Sequence, residues 1–399
     1  MSTRQKMTTD VFKGSFPPAS YGQTLEEVEA TISQVIERVF RDDDGILLSF
    51  VNGRTMKPFR TEEVKDRPRG MGTYVQHSDI PDRARPVWLN YEDTGMACGY
   101  YLEALCAKAR VAGDAQVREP ARRTVNAIAA LWENAAKIKH PLGGGGRGWF
   151  PKPYLGIHDL AGMHECSADQ YYHVTLGLHS YYLTLADEKE KRKIEEIVVS
   201  FADWWYDHDY CGVYLGRAIW WKRLPWHTMA VAYFLYLNAL AQSWSPCRKF
   251  QHGFETWLEF KGAFHQPRSC GDGLACLERL LVLRPDMADY WRHAAACQAK
   301  LLVADMKKTD GPFEPNHGWA SSLARAHRLL PHNGYDRLAR RCLDACSRRE
   351  HFYQVKRGKR IADLDKYISG DDYRDGFMCL GHPLWLCAYW GIIPQIRGE

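Results

Sequence analysis

The sequence predicts an all-α fold, an (α/α)6 toroid of six helical hairpins with a small β-hairpin in its first long loop. Three observations carry this expectation. Apolar residues recur at three- and four-residue spacing along most of the chain, the period of helices with one buried face. Twelve such stretches stand out, near 24–40, 92–112, 115–137, 167–186, 188–206, 225–243, 246–262, 272–283, 286–306, 318–329, 333–349 and 377–390. The links between them alternate, about 9 to 51 residues after each odd helix and about 1 to 3 after each even one. Short links join antiparallel neighbours, and long links on one end build one elaborated face, where binding and catalysis concentrate. Even helices then line the inside and begin at that face. A superhelical stack of helix pairs would need a repeated period, and none is present.

Each element has a local reason. The first helix carries the stripe Leu25, Val28, Ile32, Val35, Ile36 and Val39, preceded by a Thr24/Glu27 capping box. In the loop that follows, Gly45 to Val51 reads as a strand and Asn52-Gly53 as a hairpin turn. Asp42, Asp43 and Asp44 lack the alternating ligand pattern of a calcium loop, so they read as part of a turn. Gly113 suits the end of the second helix. The run Gly143 to Gly148 matches G-x-G-x-x-G formally but follows a helix rather than a strand, which rejects a dinucleotide site and leaves a tightly folded loop over the pocket. Pro225 and Pro246 fall where a first helical turn accepts proline. The 399 residues give about 33 per helix and link, so 21–399 is expected to be a single toroid behind a flexible segment, 1–20, rather than two or three domains.

Composition narrows the class. With 45% hydrophobic, 13% aromatic and 25% charged residues, the chain is not disordered, collagen-like or a coiled coil. A formal charge of +5, spread along the chain, gives no footing for nucleic-acid binding. The longest nearly apolar stretch, Met229 to Ala241, is too short to span a bilayer, so no membrane association is expected. Met1 to Asp10 has no apolar signal segment, and the 12 cysteines show no CxxC or zinc-finger spacing. Reduced cysteines used as small apolar side chains, and a cytoplasmic location, follow as expectations. No cofactor and no metal is expected, and the oligomeric state is left open.

Two carboxylates stand at the starts of inner helices, Asp93 in Glu92-Asp93-Thr94-Gly95 and Asp169 in Ser167-Ala168-Asp169-Gln170. A single acid in a first turn is ordinarily a helix-dipole partner. A pair at the mouth of a toroid, beside aromatic residues, points to acid/base cleavage of glycosidic bonds. The long loops hold Trp149, Phe150, Tyr154, Trp220, Trp221, Trp226, Trp319 and Tyr373, flat surfaces on which sugar rings can pack. Lys222, Arg223 and His227 interleave with them, and Arg presents a fork suited to a carboxylate, so an anionic sugar is expected.

These residues resemble the unsaturated glucuronyl hydrolases and their rhamnogalacturonyl relatives, the six-hairpin glycosidases. Glu92-Asp93-Thr94-Gly95-Met96 leading to Val111-Ala112-Gly113-Asp114 is similar to that family's Asp-x-Gly helix with its closing Gly-Asp. Ala168-Asp169-Gln170, with an aromatic-rich helix ending at Leu185-Ala186-Asp187, looks like its second Asp-bearing helix. Trp221-Lys222-Arg223-Leu224-Pro225-Trp226 is similar to its Trp-x-Arg-Gly segment, with Leu224 in place of the glycine. The resemblance covers about residues 90–245. It implies that Asp169 is the general acid and base, protonating the C4=C5 bond of a terminal unsaturated uronate and activating water at C5. It further implies that Asp93 holds sugar hydroxyls and tunes Asp169, that Arg223 faces the substrate carboxylate, and that Trp149, Trp221 and Trp226 stack on rings.

His158, His164 and His173 lie near Asp159, Glu165, Cys166 and Asp169, but no HExxH or matched i, i+4 histidine pair occurs, so His164 and His173 read as substrate contacts rather than metal ligands. His382, before Pro383, also opens an inner helix. Two other enzyme readings stand beside the hydrolase. A sugar epimerase of the N-acylglucosamine 2-epimerase type would use histidines such as His173, His227 or His382. A polysaccharide lyase on the same toroid would use Tyr and His. A helical protein-binding scaffold would need neither the loop aromatics nor the paired acids.

Overall fold

The computed structural model describes residues 20–53, 55–60, 88–139, 144–214, 217–266, 273–307, 317–348, 352 and 376–396. Among them are twelve α-helices. In chain order these are α1 (Leu25–Val35), α2 (Thr94–Ala112), α3 (Arg118–Ala135), α4 (Ala168–Thr184), α5 (Glu188–Asp207), α6 (Thr228–Trp244), α7 (Arg248–Leu258), α8 (Leu274–Leu283), α9 (Ala288–Lys307), α10 (His317–Leu329), α11 (Tyr335–Ala345) and α12 (Gly381–Ile396). The even helices pack in sequence, α2 on α4, then α6, α8, α10 and α12, and α12 closes on α2. The odd helices pack around this ring, each against the inner helices beside it. This is the predicted toroid.

The sequence sorts the two layers. Helix α6 is buried without a break from Thr228 to Ala241, because nearly every residue is apolar. A helix apolar on all sides has no face for water and must be enclosed. Outer α5 buries Ile194, Ile197, Val198, Phe201, Trp204 and Trp205 and turns its charges outward. Its Asp187/Glu190 capping box and the Thr24/Glu27 box of α1 satisfy first-turn N–H groups. Gly113 ends α2 in the left-handed conformation, with φ of 61°. Inner helices α2 and α4 meet at two glycines. A Cβ on Gly99 would collide with the His173 carbonyl, and one on Gly177 would sit 2.6 Å from the Gly99 carbonyl oxygen.

Strand pairing closes the ring rather than staying local. Of the strand predicted over Gly45 to Val51 only the end forms, as β1 (Phe50–Asn52); Asn52 belongs to the strand and bridges to Lys57, so the turn is longer than the two residues expected. The ladder partner of β1, however, is β4 (Gly376–Met378), with Val51 opposite Phe377. A separate hairpin pairs β2 (Cys211–Tyr214) with β3 (Arg217–Trp220) in the link between α5 and α6. His382, fully buried at the start of α12, sits at the closing seam. Its Nδ1 faces the carbonyls of Met378 and Cys379, so Nδ1 carries the proton, and Nε2 accepts from the Tyr21 hydroxyl at 3.1 Å. The flexible segment predicted at 1–20 lies outside the described residues except for Ser20. No described helix is long and apolar enough to cross a membrane. The described cysteines are free and mostly buried, as small apolar side chains should be.

Candidate active site

The starts of α2 and α4 bring acidic side chains to one end of the ring. Asp93 caps α2 without spending its carboxylate on the helix, since its side chain makes no capping bond. Its own N–H donates to Ser49 Oγ at 2.5 Å, which fixes the backbone there. Asp169, in the first turn of α4, accepts from the Ser167 hydroxyl and from the Gln170 N–H. Gln170 ties the two helix starts together: its Oε1 accepts from the Met96 N–H at 3.2 Å and its Nε2 donates to the Glu92 carbonyl at 3.4 Å.

A buried cation completes the cluster. Lys152 Nζ lies 2.5 Å from Glu92 Oε1, with both side chains almost wholly enclosed. The same ammonium stands 4.8 Å from the centroid of the Tyr214 ring. Lys152 is positioned by its N–H bond to the Glu165 carbonyl, and Tyr154 donates its hydroxyl to Glu165 Oε2 at 3.0 Å. Burial works against the Lys152 charge, but Glu92, Tyr214, Asp169 and Asp93 together raise its pKa. The ammonium therefore stays charged.

One cation thus pairs with Glu92, and its charge and those of Asp93 and Asp169 act on one another. Asp93 is pushed up to about 7, first by burial, with Lys152 opposing and the charges of Glu92 and Asp169 adding to the rise. Near neutrality it therefore exchanges its proton readily. Burial also raises the Tyr214 hydroxyl, an effect Lys152 counters. His227 is lowered by burial, and the charge of Asp169 works the other way. These mutual influences place Asp93, Asp169, Lys152, Tyr214 and His227 in one electrostatic unit.

The remaining predicted residues scatter. Trp221 is half-buried, edge-on to His227 with ring centroids 5.5 Å apart. Trp226 is 42% exposed, and Arg223 lies over the Trp220 ring at 4.8 Å. His164 is half-buried beside Tyr154. Trp319 is half-buried in the first turn of α10. Trp149 differs from expectation: it is completely enclosed in the hydrophobic core, so it offers no open face to a sugar ring. His173 is buried between Tyr100 and Tyr172, and burial followed by the Arg325 charge pushes its pKa well down. His382 is likewise enclosed, at the ring seam. Tyr373 lies outside the described residues. Lys152 and Tyr214 were missed in the sequence because neither sits at a helix start: Lys152 comes from the loop before α4 and Tyr214 from β2.

Among the described residues, one group has the composition of metal ligands: His265, His293 and Cys297, whose ligand atoms lie within 4.8 Å of one another. They stand on the turn 261–265 and on α9, and both histidines are exposed. None belongs to the carboxylate cluster, and none is among His158, His164 and His173.

Comparison with protein-family models and with curated proteins finds no match. Among solved structures, the chain is similar to an unsaturated glucuronyl hydrolase specific for heparin, with 13% identity and a TM-score of 0.33 over 94% of this chain and 98% of that one.

Proposed function

We propose that this chain is a glycoside hydrolase that removes a terminal unsaturated uronic acid from anionic oligosaccharides, with Asp93 and Asp169 as its acid/base pair. The observation that carries this reading is the pairing of the two carboxylates at one end of the ring, with Asp93 raised to about 7. A group with that pKa can donate a proton near neutrality and take it back. In the proposed step Asp93 protonates C4 of the C4=C5 double bond, and positive charge develops at C5 and the ring oxygen. Water adds to C5 while Asp169 takes its proton. The hemiketal opens, the rest of the saccharide departs, and the proton on Asp169 returns to Asp93. Lys152 pairs with Glu92, and its charge opposes the rise at Asp93. Arg223, exposed on the segment that leads to His227, is the proposed partner of the substrate carboxylate, and Trp221 and Trp226 are the proposed ring contacts.

This division of labour gives the acid step to Asp93, whereas the family resemblance gives both steps to Asp169. The test is incubation with lyase-generated unsaturated oligosaccharides, following loss of the ultraviolet absorbance of the conjugated double bond. Asp93→Asn and Asp169→Asn should each abolish the loss while remaining folded. An active Asp93→Asn variant would return both steps to Asp169. Persistent absorbance with the native chain, together with a changed epimer ratio in a monosaccharide mixture, would favour the histidine-based epimerase instead.

A further inference from the structure

The opposite end of the ring holds a cavity of about 260 Å³, lined by residues of α2, α4, α8, α10 and α12. Arg110, on its wall, is about 25 Å further along α2 than Asp93, at roughly 1.5 Å per residue. Four guanidinium groups face this cavity, those of Arg110, Arg279, Arg325 and Arg328, and only two carboxylates, those of Glu103 and Glu278.

Two of the arginines occupy both acids. Arg325 Nη2 donates to Glu103 Oε2 at 2.7 Å and its Nη1 lies 3.4 Å from Glu278. Arg328 grips the same Glu278 through Nε at 2.6 Å and Nη2 at 3.1 Å. The other two arginines reach only hydroxyls: Arg110 donates to Thr184 Oγ1 at 2.9 Å and Arg279 to Ser180 Oγ at 2.6 Å. Among the described residues neither has a carboxylate within ion-pair distance, although the charge of Glu278 reaches both. The Nε of Arg279 is buried with no hydrogen-bond partner. Burial, then the charges of Arg279 and Arg328, lower the pKa of Arg110. Helix C-termini favour nearby cations, and that accounts for Arg110 and Arg328 in their last turns. It does not account for a surplus of two cations converging on one cavity, or for a buried donor without an acceptor.

We propose that this cavity binds a small oxyanion carrying two negative charges, of the phosphate or dicarboxylate class, between Arg110 and Arg279. Such an anion balances the surplus charge, and its planar or tetrahedral oxygens suit guanidinium forks. It supplies the missing acceptor for Arg279 Nε. Bound there, it ties the ends of α2, α4 and α8 together, so it stabilises the ring by mass action. The site is independent of the carboxylate pair.

The test uses the full chain, with inorganic phosphate and malonate as separate probes and ionic strength held constant with sodium chloride. Thermal melting and titration calorimetry should show saturable one-to-one binding of at least one probe, and which one binds assigns the class. Arg279→Ala and Arg110→Ala should each weaken it at least tenfold with unchanged circular dichroism, while Asp93→Asn should bind as the native chain does. Arg110 is at the surface, so its variant tests the site even if Arg279→Ala fails to fold. The proposal is overturned if neither probe binds saturably, or if the folded arginine variants bind as tightly as the native chain.

Discussion

On the proposed mechanism Asp93 has opposite effects on activity and on stability. Its folded pKa of about 7 lies above the ordinary value of 3.8. Its contribution to stability is therefore full below about 4 and is lost as pH rises through about 7. Above that pH an ionised Asp93 is held beside Glu92 and Asp169 against its own repulsion. Asp93→Asn should consequently melt higher than the native chain at pH 8 while losing hydrolytic activity, and the two should converge near pH 4. Equal melting temperatures at pH 8 would show that Asp93 is not under this strain. If Asp93 is the acid, kcat/KM should fall about tenfold per pH unit above 7. Lys152 is subject to the converse argument. Lys152→Met leaves Glu92 buried without its cation, a loss on the order of 3–5 kcal/mol by denaturant titration. A change under about 1 kcal/mol would show that Glu92 does not depend on Lys152 for its burial.

At the scale of elements, the position of the two carboxylates depends on how closely α2 approaches α4. That approach is set by Gly99 and Gly177, whose missing side chains let the backbones touch. Gly99→Ala drives a methyl group into the His173 carbonyl, and the helices must separate. Such overpacking is expected to cost about 1–3 kcal/mol. Because Asp93 and Asp169 open these same helices, activity should fall by more than the loss of folded protein explains. Full specific activity in the folded Gly99→Ala fraction would uncouple the helix contact from the site. Helix number, order and layer were legible because apolar period and link length are local properties of the chain. The inner contact was not: a glycine inside a helical pattern reads as a weak point until its neighbour is known. The same limit explains β1, whose turn at Asn52-Gly53 was visible but whose partner lies more than 300 residues away. It also explains Trp149, since a tryptophan in a loop shows its chemistry in the sequence but not which way it faces. Asp93 and Asp169 were recognisable because acids in the first turns of inner helices are forced to one end of a ring. Lys152 arrives from a loop, where no period fixes position.

Across the whole molecule, ring closure depends on a histidine that must stay neutral. His382 is lowered to about 3, first by burial and then by His317, and it packs with Tyr21, Phe40, Phe352 and Phe377 where the segments flanking α1 meet the start of α12. His179 is also lowered to about 3, by burial and then by Arg279. His173 is displaced in the same direction. A histidine whose folded pKa lies below its ordinary 6.5 contributes stability that is full above 6.5 and is lost as pH falls toward the folded value. At pH 5 the loss is about 2 kcal/mol for each of His382 and His179, at roughly 1.4 kcal/mol per pH unit, and His173 adds to it. Between pH 7 and 5 Asp93 returns about 2 kcal/mol and Asp42, which burial raises to about 6, about 1 more, so the histidines leave a modest net loss. Against a typical total of about 5–15 kcal/mol, the ring should lose a small part of its stability between pH 7 and 5. Urea unfolding at the two pH values measures this. His382→Asn keeps a donor for the Met378 and Cys379 carbonyls but cannot titrate. It should start less stable at pH 7 and lose about 2 kcal/mol less on going to pH 5. A variant that loses as much as the native chain would show that the seam does not hold a neutral histidine, and that acid opens the ring elsewhere.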